Sequence, residues 1–422
     1  FLTFLNAREL SLSEYLSIAM KNNMDIRSSE LDIKKAGFEK YQSYGSFLPS
    51  SYFSLNFTHN SLAAEQQSAG TSSVKDPSWD RSVSVSLPVF AGGSRFFSVR
   101  AARLGEKMEE VKKKLSVQDV KARATAAFMD AYMLQQQIEI SRREITLAEE
   151  NLKRARMFLE SGRATELDIL NFEMNLEQAK QKFRTHKMDL REKKALLERV
   201  AGEEIDAENF VTEKSGRELV QSFKQRSMEE AVSDETEHVL NNSPVIKQMK
   251  TALSIADEIG KQAWTSFFPS IVFTYSHDFG KTENHPFRSG YTESSDTVLL
   301  GFDINLFNGF QDYMEVRKKD IDELNAELAL KDMKDEQRYV VKQILTSVYS
   351  LEEQRRTVKK TLELTKRTLE KTQLQYKLGA STYLDVLSAQ NNYIQSEKQL
   401  VIIDATLLNS IYQLRYLSGE GE

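Results

Sequence analysis

The sequence predicts an α+β protein whose chain is two tandem copies of one pattern: a short helix, a β-hairpin, a very long helix and a return helix. Three observations support this prediction. Distinctive segments recur in the same order at a fixed distance along the chain. Alternation of apolar and polar residues marks two strands in each copy. Coiled-coil spacing, without internal proline, marks two helices of unusual length.

The internal repeat has a period of about 217 residues. Residues 161–170 (SGRATELDIL) return as residues 378–387 (LGASTYLDVL). The shorter matches are residues 47–50 with 267–270, residues 87–92 with 304–309, Asn22-Asn23 with Asn241-Asn242, and the capping box Ser11/Glu14 with Ser227/Glu230. We therefore predict a first repeat over 1–200, a connecting equatorial segment over 201–242 and a second repeat over 243–418.

Two strands are predicted in each repeat. A short helix over about 24–46 precedes the first strand and ends before Pro49, because proline disfavours helix in the residue before it. Apolar and polar side chains then alternate, which is typical of a strand with one buried or lipid-facing side. The predicted strands cover about 51–59 and 81–90 in the first repeat, and about 270–279 and 296–307 in the second.

Very long helices follow the hairpins, over about 94–160 and 311–377. Their apolar residues recur in steps of four and three, which indicates packing along other helices. Gly162 and Gly379 end them, as glycine often does at a helix C-terminus. Return helices are predicted over 166–200 and 382–417. Each repeat thus closes in a tight reversal, which we call the first tip (residues 158–168) and the second tip (residues 375–385).

Composition excludes several classes of protein. No run of 18 apolar residues occurs, so no membrane-spanning helix is predicted. The net charge of −5 argues against a nucleic-acid binder, and the absence of cysteine excludes disulfides and thiolate metal sites. No catalytic constellation, cofactor motif or metal site is present, so we expect no enzyme. The five scattered histidines are His59, His186, His238, His277 and His285.

The strands predict the assembly. Four strands cannot close a transmembrane barrel, and open sheet edges are not tolerated in lipid. Three copies supply three times four strands, a 12-stranded β-barrel, and three times four helical columns, a 12-helix α-barrel or coiled-coil tunnel. The predicted fold class is therefore an α+β membrane protein that assembles as a trimer.

This layout resembles the TolC family, the outer-membrane exit channels of tripartite efflux pumps and type I secretion systems. The resemblance covers nearly the whole chain, from the LSLSEY opening at residues 10–15 to both tips. It implies a homotrimer in contact with outer-membrane lipid, with a tunnel that crosses the periplasm and passively conducts drugs or exported proteins. It also implies a periplasmic adaptor (membrane fusion) protein and an inner-membrane transporter of the RND, ABC or MFS type. A removed signal peptide is expected.

The resemblance also implies a periplasmic gate at the second tip. Asp385 matches the first of the family's constricting acidic residues, and Ser388 stands where a second aspartate occurs. Ser381 replaces a latch arginine, while Tyr376 and Asp168 match a latch tyrosine and a latch aspartate. We expect one acidic ring, in which repulsion between copies raises at least one pKa. Matches to adaptor-contacting positions are Ser161, Gly162, Arg163, Leu378, Gly379 and Ala380.

Simpler interpretations fit the same residues. Asp168 and Asp385 are also suited to stabilising helix N-termini, and Gly162 and Gly379 to stopping helices. Trp79 fits a membrane-interface anchor or an ordinary packed tryptophan. The alternative to a channel is a soluble periplasmic coiled-coil scaffold or adaptor protein.

Overall fold

A computed structural model describes residues 9–59, 78–207, 209–212, 226–283, 285–287 and 293–419. The chain is mostly helical. Its described helices are α1 (Leu12–Asn22), α2 (Met24–Gly45), α3 (Ser94–Glu160), α4 (Glu166–Ala201), α5 (Met228–Asn242), α6 (Pro244–Trp264), α7 (Gln311–Leu378) and α8 (Tyr383–Leu417). Most of the predicted polar loop between the first two strands, and part of the predicted connecting segment, lie outside the described residues.

The strands form two sheets in the described part of the chain. A small parallel pair, which the sequence did not predict, joins β1 (Glu9–Ser11) to β4 (Asn209–Val211). The larger sheet is antiparallel in the order β2-β3-β5-β7, and β6 pairs with the start of β3. Its strands are β2 (Ser50–Thr58), β3 (Ser78–Ala91), β5 (Ser270–Asp278), β6 (Thr282–Glu283) and β7 (Ser295–Asp303).

The register gives the larger sheet two different faces. Successive residues of a strand point to opposite faces. The rows that cross β3, β5 and β7 are therefore alternately apolar, as in Val85, Tyr275 and Val298, and polar, as in Ser84, Ser276 and Thr297. The register shifts between Pro88 and Phe90. Such a bulge accommodates proline, which cannot donate a ladder hydrogen bond.

The last strand is shorter than the alternation predicted. We expected it to extend to about residue 307, but β7 ends at Asp303. The reason lies in the residues that follow. Asn305, Asn308 and Gly309 favour turns, and Gly309 has a φ of +68°. The apolar alternation of Ile304 and Leu306 therefore continues in the sequence without continuing the strand.

The helix starts follow from capping chemistry. The capping boxes predicted at Ser11 and Ser227 are confirmed: each hydroxyl accepts a hydrogen bond from the backbone of Glu14 or Glu230, whose carboxylate bonds back to the serine. Among the described helices, no segment has both the length and the apolar character that a membrane-crossing helix requires.

The chain divides into two compact units. The first contains the described parts of Phe1–Leu31, Val111–Lys247 and Asp332–Glu422, and the second contains Asp32–Glu110 and Gln248–Lys331. Both predicted repeats contribute to both units. Both tips lie in the first unit, and the larger sheet lies in the second. A core of the first unit is built on Phe128, whose ring lies 5.8 Å from that of Tyr15 and 5.7 Å from that of Phe210.

Candidate functional site

The two tips have the same backbone structure. Each long helix ends in a Schellman motif, in which a left-handed residue follows the helix and two backbone N–H groups bond back to its last turn. At the first tip, Gly162 N–H donates to Leu159 and Arg163 N–H donates to Phe158, at 2.9 and 2.8 Å. Gly379 and Ala380 make the equivalent bonds at the second tip. The φ angles of Gly162 and Gly379 are +71° and +77°, which disfavour any other residue.

Both predicted gate carboxylates cap helices. Thr165 and Asp168 form a capping box at the start of α4, and Thr382 and Asp385 form one at the start of α8. The simpler interpretation of these aspartates, as stabilisers of helix N-termini, is therefore correct for both. The sequence carries the signal, because Thr-x-x-Asp just before an apolar run is a capping pattern. Capping boxes of the same kind begin α1 at Ser11 and α5 at Ser227.

Asp385 is exposed, and three hydrogen bonds converge on one of its oxygens. Oδ2 accepts from the hydroxyl of Thr382 at 2.7 Å, from the backbone N–H of Thr382 at 2.8 Å and from the hydroxyl of Ser381 at 3.0 Å. The bonds from Thr382, and then that from Ser381, lower the pKa of Asp385. Within one protomer the shift is therefore opposite to the one expected from repulsion between copies. Ser388 lies one turn later in α8 and is also exposed.

Tyr376 packs in an aromatic cluster that joins the two tips. Its ring lies 5.4 Å from that of Phe158 and 6.4 Å from that of Phe172, and Phe172 is 4.2 Å from Tyr383. Burial, and then the negative charge of Asp168, raises the pKa of Tyr376. Asp168 thus acts on Tyr376 through its charge, and the cluster adds three rings, Phe158, Phe172 and Tyr383, that the sequence prediction omitted.

Arg163 also connects the tips. Its guanidinium lies 5.0 Å from the ring centroid of Phe158, and Nη2 donates to the backbone carbonyl of Lys377 at 3.3 Å. That carbonyl belongs to the last turn of α7, where a cation is favoured by the helix dipole. Gly379 leaves room for the contact, since a Cβ there would lie 3.0 Å from Nη2. Arg163, predicted as a docking residue, therefore also holds the two reversals together.

The remaining docking candidates lie on the surface. Ser161, Leu378 and Ala380 are exposed, and the Leu378 side chain retains 71% of its accessible area. Two further leucines within the tips, Leu167 and Leu384, are similarly exposed, at 66% and 67%. Both were absent from the predicted set. They occupy equivalent positions in the two repeats, which is the sequence signal that identifies them. The tips therefore present apolar side chains to solvent.

Comparison with known sequences covers both repeats. The profile of the family described as outer membrane efflux protein matches residues 15–203 and 236–420. The chain is also similar to the outer membrane efflux protein BepC of Brucella suis biovar 1 (strain 1330). The two are 22% identical over 419 residues, which span 95% of this chain and 86% of BepC.

Solved structures share the fold. The outer membrane protein VceC of Vibrio cholerae superposes with a TM-score of 0.79 at 14% identity, over 97% of this chain and 96% of VceC. The outer membrane channel CmeC of Campylobacter jejuni gives a TM-score of 0.78 at 15% identity, over 97% of this chain and 85% of CmeC. At these identities the likeness concerns the fold alone.

Proposed function

The chain belongs to the outer membrane efflux protein family, and we propose that it forms one third of a trimeric exit duct. The protein is accordingly an outer-membrane channel component that extends into the periplasm. The family is one of channels, and the soluble scaffold or adaptor alternative is not favoured. The proposal concerns the assembly: a 12-stranded barrel closed by three copies and continued by a 12-helix tunnel.

The observation that carries the proposal is the one-sided sheet of the second unit. The row Leu87, Phe273 and Leu300 and the row Val85, Tyr275 and Val298 share one face and make it apolar there. The same face becomes polar one row further, where Val83 lies beside His277 and Asp296. Hydroxyl groups dominate the other face, where the Oγ atoms of Ser54 and Ser82 are hydrogen-bonded at 2.6 Å. This arrangement suits a barrel with lipid outside and water inside. Strands β2, β5 and β7 are nine residues each, the length that crosses a bilayer with tilt.

The edges of this sheet require partners. In the described part of the chain, β2 pairs only with β3 and β7 pairs only with β5. Each outer edge therefore presents unpaired backbone groups, which lipid does not tolerate. Pairing β7 of one copy with β2 of the next satisfies both edges and closes a ring. Two copies would give eight strands, a barrel that its own side chains fill, whereas three copies give twelve strands and a wider barrel that suits a pore.

The long helix α7 offers a second contact between copies. Met314, Ile321 and Leu328 are spaced by seven residues and are 55%, 58% and 63% exposed. Seven-residue spacing places them along one side of a helix in a coiled coil. An uncovered apolar seam of this kind is costly in water, so a helix of a neighbouring copy is the occupant we propose.

The two tips are the proposed docking surface for a periplasmic adaptor. They expose Leu167 and Leu384 beside the reversals that the resemblance assigns to adaptor contact. An adaptor that engages both would connect the duct to an inner-membrane transporter of the RND, ABC or MFS type. The duct itself would conduct drugs or exported proteins passively.

Asp385 is the proposed constriction residue. Its Oδ2 caps α8, and Oδ1 takes no part in those bonds, so one carboxylate can cap the helix and present charge to the pore. Three copies around the axis would favour cations over anions and would bind multivalent cations. Because the hydrogen bonds lower the pKa, the charge persists to more acidic pH than for an ordinary aspartate. Repulsion between the three copies acts in the opposite direction.

Replacing Asp385 with asparagine tests this gate. In planar bilayers we expect the wild-type pore to prefer cations and to be blocked by multivalent cations. Asp385→Asn should reduce both properties several-fold, because the carboxylate charge is lost while an oxygen remains to cap the helix. Glu230→Gln is the matched control, since Glu230 fills the same capping position at the start of α5, outside the two tips. Unchanged selectivity and block in Asp385→Asn would assign Asp385 to capping alone.

A further inference from the structure

A buried carboxylate lies in the first unit, away from the tips. Glu144 of α3 is 2% exposed. Its Oε1 accepts a hydrogen bond from Lys182 of α4 at 3.0 Å, and its Oε2 lies 3.6 Å from the ammonium of Lys398 of α8. No hydrogen bond reaches Oε2 from the described residues. A buried charge that is incompletely bonded is costly, so its presence calls for an explanation.

A second ion pair crosses between the same two helices. Arg143, next to Glu144 on α3, pairs with Glu397, next to Lys398 on α8. In the first pair α3 supplies the acidic residue and α8 the basic one, and in the second pair these roles are reversed. Together they connect α8, which belongs to the second helical hairpin, with α3 of the first hairpin. Lys182 adds the return helix of the first hairpin, so the cluster joins three helices.

His186 of α4 completes the cluster. Its Nδ1 lies 2.9 Å from the hydroxyl of Ser141, which is fully buried. Charged groups act on the imidazole from all three helices: Lys182 and Asp189 from α4, Glu144 from α3 and Lys398 from α8. Burial, and then the charge of Lys398, lowers the pKa of His186. The ring is therefore neutral at neutral pH.

The second repeat shows that this layer needs no charge. Adding the repeat period to Ser141, Glu144, Lys182 and His186 gives Val358, Thr361, Gln399 and Ile403. Val358 and Ile403 are buried. An uncharged layer therefore serves in the second hairpin, while the first keeps a buried carboxylate, the ammonium of Lys182 and an imidazole, and receives a second ammonium, Lys398, from α8.

We propose that the Glu144 cluster is an acid-sensitive clasp that holds the two helical hairpins of each protomer together. At neutral pH one carboxylate balances Lys182 and Lys398 beside an uncharged imidazole. Protonation of His186 places a third cation among them and changes the hydrogen bond with Ser141. The contact of α8 with α3 and α4 then weakens. For transport, this weakening would mean a wider duct in acid, and that consequence rests on the proposed function.

The direction of the pH effect follows from the two groups whose pKa values are shifted, His186 and Glu397. The neutral form of His186 is favoured in the clasped state. The stabilisation that His186 gives to this state is therefore complete above the ordinary histidine pKa of about 6.5, and it is lost as the pH falls through the lowered pKa. Glu397 acts in the opposite direction, because burial raises its pKa despite the opposing charge of Arg143. The pH range over which Glu397 has this effect extends upward from the ordinary glutamate pKa of about 4.3. We therefore expect His186 to dominate as acidification begins.

The test measures the distance between the hairpins directly. The chain has no cysteine, so spin labels can be placed at Thr146→Cys on α3 and Gln395→Cys on α8, both exposed positions. In the detergent-solubilised protein we expect the distance distribution to lengthen and broaden between pH 7.5 and pH 5.5. The labelled variant that also carries Ser141→Val and His186→Ile, the residues of the second repeat, should not respond. Glu144→Gln should show the acid-like distribution at pH 7.5.

Two outcomes would overturn the clasp: an unchanged distance in the wild-type background, or an equal response in the Ser141→Val/His186→Ile variant. This readout requires neither a membrane nor a pore, so it is independent of the proposed function. Conductance of the unlabelled protein is measured in parallel at the two pH values. An acid-dependent distance without any pore would support the clasp and contradict the exit duct.

Discussion

Replacing Leu300 with arginine is expected to remove the protein from the outer membrane, whereas the same change at Leu299 should be tolerated. Both leucines lie in β7 and are exposed in the protomer, at 68% and 58%. Leu300 lies in the apolar row with Phe273 and Leu87, but Leu299 lies opposite Thr274 on the hydroxyl-rich face. An arginine on the lipid side near the bilayer midplane costs about 2–4 kcal/mol. Three copies multiply this cost.

The amount of each variant in the outer-membrane fraction measures the effect. We expect at least a tenfold loss for Leu300→Arg, since about 1.4 kcal/mol changes an equilibrium tenfold. Leu299→Arg should stay near the wild-type amount and alter only ion selectivity. Equal loss for both variants would mean that the two faces of the sheet are not separated by lipid and water.

Replacing Gly379 with valine is expected to abolish export while leaving the amount of assembled protein unchanged. A side chain in the left-handed conformation costs about 1–2 kcal/mol, and β-branching makes the conformation still less favourable. The new Cβ would also lie 3.0 Å from Nη2 of Arg163 and displace the contact that joins the tips. We expect the changed reversal to prevent productive docking of the adaptor.

Related variants identify the cause of this effect. Gly162→Val should also abolish export, because Gly162 has a comparable φ of +71°. A Cβ at Gly162 would meet nothing within 4 Å, so the milder Gly162→Ala should retain more export than Gly379→Ala. Gly105→Val in α3, where the added Cβ also meets nothing, controls for loss of a glycine in a long helix. Full export by Gly162→Val and Gly379→Val would place docking elsewhere.

The sequence predicted the long helices well because their signals are local and redundant. Heptad spacing, the absence of proline and a terminal glycine all mark the same boundaries, and α3 runs over Ser94–Glu160 as expected. The end of β7 was predicted less well, since alternation continued into a turn. The β1–β4 pair was not predicted, because three residues are too few to show a period and their partners are about 200 residues apart.

The tips also combine features that the sequence predicts with features that it does not. Reversals at Gly162 and Gly379 follow from residue type, and the capping role of Asp385 was available from Thr382 three residues earlier. The contact between Arg163 and the Lys377 carbonyl could not be predicted, because it joins residues 214 positions apart through a backbone atom. The grouping of charged side chains around Glu144 could not be predicted from the sequence either, because its members come from three different helices.

The most direct test of the account is the mass of the detergent-solubilised protein, measured by light scattering with correction for bound detergent. In the proposed duct, three copies of four strands close the barrel, so we predict a species of three chains of 48.4 kDa each. Circular dichroism of the same sample should show the strand content of the folded sheet. A stable monomer or dimer with full strand content would contradict the trimeric duct.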